Sequence, residues 1–343
     1  MRILIVSDAW HPQVNGVVTS LQALIDELRG LGHQVKLLSP VDFRSLPCPS
    51  YPEIPLAWDL WRVGPAIRGF RPDCVHLATE GPLGWAARRW LKRRGLAFSS
   101  AIHTRFPEYV NTRWPAIPLS WGYAFLRAFH RASQAVLVST ERMRDEFVSQ
   151  GVRRVQVWRK GVDGGLFHVR GVAPSAPVFL YVGRLAAEKN LPAFLDLDLP
   201  GVKRVVGDGP QRAQLQQDYP QVQFLGYQQG EVLAQSFAAA SVLVFPSRTD
   251  TYGLVMLEAL ACGTPVAAFP VAGPLDVLEP GVTGVMDKEL GRACLAALQL
   301  DRAVCAERAA RQSWRASALE FLARQPLLDG ELVAVGAAPA LQV

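Results

Sequence analysis

Apolar positions along this chain switch between short continuous runs and longer stretches with helical spacing. Ile3 to Val6 form an apolar run that reads as a buried strand. A turn-rich loop holding Asn15 and Gly16 follows, then an amphipathic helix from about Val18 to Leu31, stopped by Gly32, and a second strand in "QVKLLS". That is a βαβ unit. Further strands are predicted at Cys74 to Ala78, Phe98 to His103 and Gln134 to Ser139, each followed by polar or helical sequence. Near residue 170 the texture changes to "VRGVAPSAP", a Gly/Pro/Ser-rich stretch that suits a linker, and the rhythm then restarts. "VFLYV", "VKRVV", "SVLVF", "PVAAFP" and "TGVM" supply a second set of strands. The fold class is therefore α/β, with two Rossmann-like parallel-sheet domains over residues 1–170 and 171–315. The tail, 316–343, is read as a helix crossing back to the first domain. Since open parallel sheets bind ligands at their carboxyl ends, the two domains are expected to face one another across a ligand cleft.

Size and composition narrow the function classes. At 343 residues, half of them hydrophobic and 19% charged, the chain suits two globular cores. No run approaches the roughly 18 apolar residues of a membrane span, and Met1 leads straight into "RILIV" without a signal-peptide pattern, so a cytoplasmic protein is expected. The five cysteines are scattered, with no Cys-x-x-Cys pair, which argues against disulfides and against zinc. Charge is uneven. Residues 1–170 hold 23 Lys and Arg against 13 Asp and Glu, and the remainder holds 13 against 17. The helix-like stretch Trp85 to Gly95 gathers Arg88, Arg89, Lys92, Arg93 and Arg94 beside two tryptophans, a pattern that suits an anionic membrane surface or simply a solvated basic face. Nucleic-acid signatures are missing from the sequence.

One constellation carries chemistry. From Leu254 to Ala261 the sequence is apolar on every side except at Glu258, so this helix is expected to be buried and its lone acid needs donors. The 2′ and 3′ hydroxyls of a ribose would supply them; an arginine elsewhere in the domain would do so equally well. Asp250 and Thr251 read as cap residues, and "TYGL", residues 251–254, offers the backbone N–H groups of Tyr252, Gly253 and Leu254 to an anion. Arg184 and Lys189 follow a strand end and could reach one diphosphate. Together these features describe a site for a nucleotide diphosphate carrying a further group, with Asp250 reading hydroxyl donors. Gly207 and Gly209 follow the strand in "VKRVVGDGP".

"VGRLAAEKN", "VGDGP" and "FPSRTDTYGLVMLEALACGTPVAAF", with "DAWHPQVNGVV", "TEGPLG" and "HTRFPEY" in the first half, resemble the retaining glycosyltransferases of family four, fold type GT-B. The match spans nearly the whole chain and is most similar to the GDP-mannose-dependent α-mannosyltransferase branch acting on lipids, with sulfoquinovosyl- and glucosyl-lipid synthases as relatives. The resemblance implies that Glu258 holds the ribose and that Arg184 and Lys189 hold the diphosphate. Gly253 and Leu254 would offer amides to phosphate or sugar, and Gly16 would line the phosphate. His103 would stand near the donor sugar, and the loop of Gly207 and Gly209 near the base. The family's first acid is commonly Glu, and here it is Asp250, one methylene shorter.

The implied reaction moves a hexose, mannose from GDP-mannose or a hexose from a UDP donor, with retention onto a lipid or glycan acceptor, and requires no metal. "DLD" at Asp196 to Asp198 matches a metal-holding triplet of another glycosyltransferase fold but lies far from any nucleotide loop, so it is read as chance. Arg105, Glu108 and Tyr109 are the acceptor candidates. The alternatives are a nucleotide-sugar-binding protein or an epimerase of the same fold, neither of which needs an acceptor. A nicotinamide dehydrogenase is disfavoured because "SDAWHPQVNG" lacks Gly-x-Gly-x-x-Gly.

Overall fold

A computed structural model describes residues 1–13, 15–48, 51–105, 107–108, 111, 116–171, 176–250 and 252–328, with 51–53 described for the backbone alone. The chain divides into two compact units, residues 1–159 with those from 315 on, and residues 160–314. The passage between them falls at Arg159 and Lys160, and the Gly/Pro/Ser-rich stretch read as a linker belongs to the second unit.

The first unit is built on strands β1 (Arg2–Val6), β2 (Gln34–Leu38), β5 (Cys74–Leu77), β6 (Ser99–Ala101), β7 (Ala135–Val138) and β8 (Val155–Val157), arranged in the order β2-β1-β5-β6-β7-β8. Neighbours in this sheet are parallel. Strands β3 (Ser45–Cys48) and β4 (Tyr51–Ala57) form a separate antiparallel hairpin that the sequence pattern did not announce, because Pro47, Pro52 and Pro55 read as strand breakers. A two-stranded ribbon tolerates them at positions whose N–H faces outward. The helices are α1 (Gly16–Gly30), α2 (Val63–Phe70), α3 (Pro82–Lys92), α4 (Leu119–His130) and α5 (Glu141–Ser149).

Both faces of the sheet are covered, as parallel sheets require. Leu4 and Val6 point into one core with Leu83 and Phe129, while Ile3 and Ile5 point into the other with Leu21 and Phe321. The chain end helps build this second core. The Trp158 indole donates to the Ser317 carbonyl (3.1 Å), and Ser99 donates to Gln325 (2.6 Å). The Leu328 amide donates to the Asp73 carbonyl (2.8 Å).

The second unit repeats the design with β9 (Val178–Val182), β10 (Val202–Val206), β11 (Gln223–Gly226), β12 (Val242–Phe245), β13 (Val266–Ala268) and β14 (Gly284–Met286), in the order β11-β10-β9-β12-β13-β14. Helices α6 (Pro192–Leu195), α7 (Arg212–Asp218), α8 (Gly230–Ala238), α9 (Leu254–Ala261), α10 (Ala272–Val277), α11 (Leu290–Ala297) and α12 (Arg302–Ala310) cover it, and α13 (Trp314–Leu322) follows. Every residue of β9 is buried, with Val178, Leu180 and Val182 in one core and Phe179 and Tyr181 in the other. The period-two alternation of a central strand thus feeds two apolar layers.

Strand order fixes where a ligand can bind. In each sheet the chain leaves one strand in opposite directions, between β1 and β5 and between β9 and β12, so the loops after those strands diverge and open a crevice at the carboxyl ends.

Candidate active site

At the β9/β12 switch point the two loops that carry the predicted residues meet. The loop after β9 ends in a 3₁₀ turn, Ala187–Lys189, closed by Asn190 in the left-handed region (φ 57°). The Asn190 side chain donates to the Pro246 carbonyl (3.1 Å), which ties this turn to the loop after β12. Across the join, the Lys189 ammonium donates to Asp250 at 2.5 Å, each side chain retaining 24% of its exposure. Residues 61 positions apart therefore form one charged centre. Tyr181 lies beneath it: its hydroxyl donates to the Arg184 carbonyl (2.9 Å), and burial, with Asp250 and Glu188 adding to it, holds that phenol far above its ordinary range. The Arg184 side chain is exposed at the strand end.

Helix α9 begins differently from the sequence expectation. Asp250 is not its cap, being turned to Lys189, and Thr251 lies outside the described residues. The N-cap is Gly253, with φ 77°, and among the described residues no side chain caps the helix. A side chain at 253 would be strained, and its Cβ would stand 2.9 Å from the Met256 methyl and 3.0 Å from the Phe245 ring. The first-turn N–H groups thus emerge from a bare glycine, as an anion site requires. The Tyr252 side chain is buried in the core, and its hydroxyl donates to Gln312 (3.1 Å).

One turn into α9, Glu258 is half-buried, and its carboxylate makes no hydrogen bond or ion pair among the described residues. The surrounding protein pushes that carboxyl up to about 7. Arg170, the nearby cation acting on Cys262, is engaged with Glu231 instead. Gly207 is demanded by packing: at φ 141° its absent Cβ leaves room for the Gly183 carbonyl, which would otherwise lie 1.9 Å away. The Leu185 amide donating to the Asp208 carbonyl (2.9 Å) completes this stitch between the β9 and β10 loops. Asp196 accepts from the Tyr219 hydroxyl (2.6 Å) on the stretch leading into β10, at the opposite sheet end from the crevice.

The β1/β5 switch point of the first unit is occupied by its own side chain. Asp8 accepts from the amides of Leu83 (2.8 Å) and Gly84 (3.2 Å) at the start of α3 and from Thr79 (2.8 Å), and burial raises its pKa against these bonds. "TEGPLG" is in this respect a structural motif. Gly16 opens α1 and is not part of the preceding loop; Asn15 caps the helix by accepting from Val17 and Val18 (3.0 Å each). Nothing stands within 4 Å of a Cβ built at Gly16, and its backbone is helical, so neither conformation nor packing asks for glycine there. His103 follows β6 and packs edge-on against Trp158, ring centroids 6.0 Å apart.

The acceptor candidates sit in a network. Arg105 donates to Glu146 (2.5 Å), and Tyr123 donates to both Glu108 and Glu146 (3.3 Å to the latter), which together with burial holds the phenol above its usual range. Tyr109 lies outside the described residues. The basic helix α3 is partly spent internally, because Arg88 donates to the Ala128 and Phe129 carbonyls (2.5 Å each) at the carboxyl end of α4. Trp85 and Trp90 are half-buried, and they line a groove of about 380 Å³ with Leu60, Trp61, Arg89 and Arg93. Trp61, 66% exposed and missed in the sequence pattern, is the aromatic that faces outward. Among the described residues no helix is long and apolar enough to cross a membrane.

Two doubly wound parallel-sheet units, one of them with cations, a glycine-led helix start and a half-buried acid at its switch point, have the architecture of the GT-B class of glycosyltransferases. Residues 14–164 match the model of Glycosyltransferase Family 4 and residues 176–299 that of Glycosyl transferases group 1. A GDP-mannose-dependent alpha-mannosyltransferase of Mycobacterium tuberculosis is 31% identical over 83% of this chain and 83% of its own. This chain belongs to glycosyltransferase family 4. In fold it is similar to the sucrose-phosphate synthase of Thermosynechococcus elongatus, with a TM-score of 0.77 at 21% identity over 98% and 100% of the two chains. It is also similar to Anabaena HepE, solved in complex with UDP-glucose, with a TM-score of 0.71 at 16% identity over 94% and 99%.

Proposed function

We propose that the protein transfers mannose from GDP-mannose, with retention at the anomeric carbon, to a lipid or glycan acceptor. The observation that supports this most is the meeting of Lys189 and Asp250 in front of α9, one turn from a carboxylate that has no hydrogen-bond or ion-pair partner among the described residues. In this reading Glu258 accepts from both ribose hydroxyls, which favours its ionised form once donors arrive. Lys189, Arg184 and the amides of Gly253 and Leu254 stabilise the charge that develops on the leaving diphosphate. Asp250 reads hydroxyls of the transferred sugar. In this reading the loop after β10, with Gly207, lies beside the base, while Gly16 and His103 keep the phosphate and sugar roles that the family pattern implies. Retention proceeds by front-face attack assisted by the leaving phosphate.

Donor choice rests on the similarity to GDP-mannose-dependent enzymes. A thermal-shift screen of GDP- and UDP-sugars tests it: GDP-mannose is expected to give the largest stabilisation, and a larger shift with a UDP-hexose would overturn the donor assignment. Incubation with lipid extract, followed by proton NMR of the new glycosidic bond, tests transfer and anomeric outcome. Release of an isomerised nucleotide sugar would support an epimerase instead. We also propose that the first unit docks on anionic membranes through the basic groove beside the exposed Trp61. Flotation with vesicles containing phosphatidylglycerol is expected to be strong and to fade with salt, since screened attraction cannot survive high ionic strength.

A further inference from the structure

Lys189 and Asp250 form a pair held by the backbone around them. Asn190 ties the Lys189 turn to Pro246, and Thr249 donates to the Glu188 carbonyl (3.5 Å), so the loops after β9 and β12 are joined on both sides of the pair. Asp250 is also one of two acids, with Glu188, whose charge acts on the buried Tyr181 hydroxyl. The cation meant for a diphosphate therefore stands in an acidic surround and is bonded to one member of it.

We propose that Asp250 is a specificity-determining counter-charge: it competes with the diphosphate for Lys189, and so makes the site prefer a sugar-bearing nucleotide over the bare nucleoside diphosphate. This rests on the donor-site reading above. A diphosphate that takes Lys189 leaves Asp250 without its cation and beside new negative charge. A nucleotide sugar brings hydroxyl donors that satisfy the freed carboxylate, whereas a bare diphosphate brings none. The product left after transfer is the bare form, so the same competition favours its departure. Asp, one methylene shorter than Glu, keeps the carboxylate on a short tether against Lys189.

The test is calorimetry with GDP, UDP and GDP-mannose on the full chain and on Asp250→Asn, with Asp250→Ser as a second variant, each checked for native circular dichroism. Loss of the carboxylate should tighten the bare diphosphates by about threefold to tenfold, the scale of a partly exposed charge interaction. GDP-mannose should gain nothing or weaken, so the preference for the sugar nucleotide falls. Product inhibition should deepen by the same factor. An unchanged ratio of bare to sugar-bearing affinity in both variants overturns the counter-charge role. Lys189→Ala separates this from the wider reading: it should weaken all three ligands, and wild-type affinity there would remove the diphosphate site itself.

Discussion

At the β1/β5 switch point Asp8 spends its carboxylate oxygens on the Leu83 and Gly84 amides and seals the start of α3, whereas at β9/β12 Asp250 turns to Lys189 and leaves α9 without a side-chain cap. The topology is the same and the polar groups differ in where their bonds end. An acid that accepts from its own helix start contributes to the fold. An acid bonded to a lysine, beside a bare helix start, leaves both the cation and the amides able to change partners. The two switch points thus differ in where the hydrogen bonds of their acids end, and not in strand order.

That contrast can be broken by exchange of roles. Lys189→Ala should lower transfer by ~10²- to 10³-fold, the usual cost of removing one charge stabiliser of a developing anion, while the circular dichroism stays native; activity within a factor of a few of wild type would return Lys189 to the surface. Glu258→Ala should weaken nucleotide-sugar binding by roughly 10- to 100-fold, since two hydrogen bonds to a charged group are lost. Calorimetry at wild-type affinity would leave the ribose without its acid. On the scaffold side, Asp8→Asn should cost about 1–3 kcal/mol of stability in urea because buried amides lose a charged acceptor, with donor affinity unchanged once folded; a change in donor affinity at full stability would give both switch points the same role.

Protonation sharpens the comparison further. Burial lifts Glu258 to about 7, above its value near 4.3 in an unfolded chain, so the native state holds the proton more tightly. Its contribution to stability is present at low pH and is lost as pH rises towards 7, by on the order of 3 kcal/mol. In the donor-site reading proposed above, ribose binding runs the opposite way, because it needs the ionised acid. Nucleotide affinity should therefore climb between about pH 6 and 8, and Glu258→Gln should flatten both slopes while raising stability at pH 8. Two unchanged slopes in that variant would assign the titration elsewhere. The smallest effect is expected at Tyr252→Phe, about 1 kcal/mol for the lost bond to Gln312 and no change in ligand affinity.

Much of this was legible in the chain. The run Ile3 to Val6, the rhythm of the second half and the helix Leu254 to Ala261 follow from apolar periodicity, which burial enforces directly. Lys189 and Arg184 could be named from residue type after a strand. The proline-bearing hairpin β3/β4 could not be seen, since its residues violate strand propensity and only their pairing explains them. Asp250 read as a cap because local sequence offers a helix start to any nearby acid. That Gly207 also has to admit the Gly183 carbonyl could not be read from the chain, because a glycine does not announce which backbone it must admit.

The sequence alone determined which residues are apolar, how they alternate and which charges are available, because those quantities depend on side-chain chemistry and spacing along one dimension. The tertiary structure decided which acid meets which donor. Asp8 and Leu83 are 75 positions apart and Asp250 and Lys189 are 61, and nothing in either segment specifies its partner. Hydrogen bonds act over about 3 Å, so they are chosen only when packing of the two sheets has fixed which loops approach.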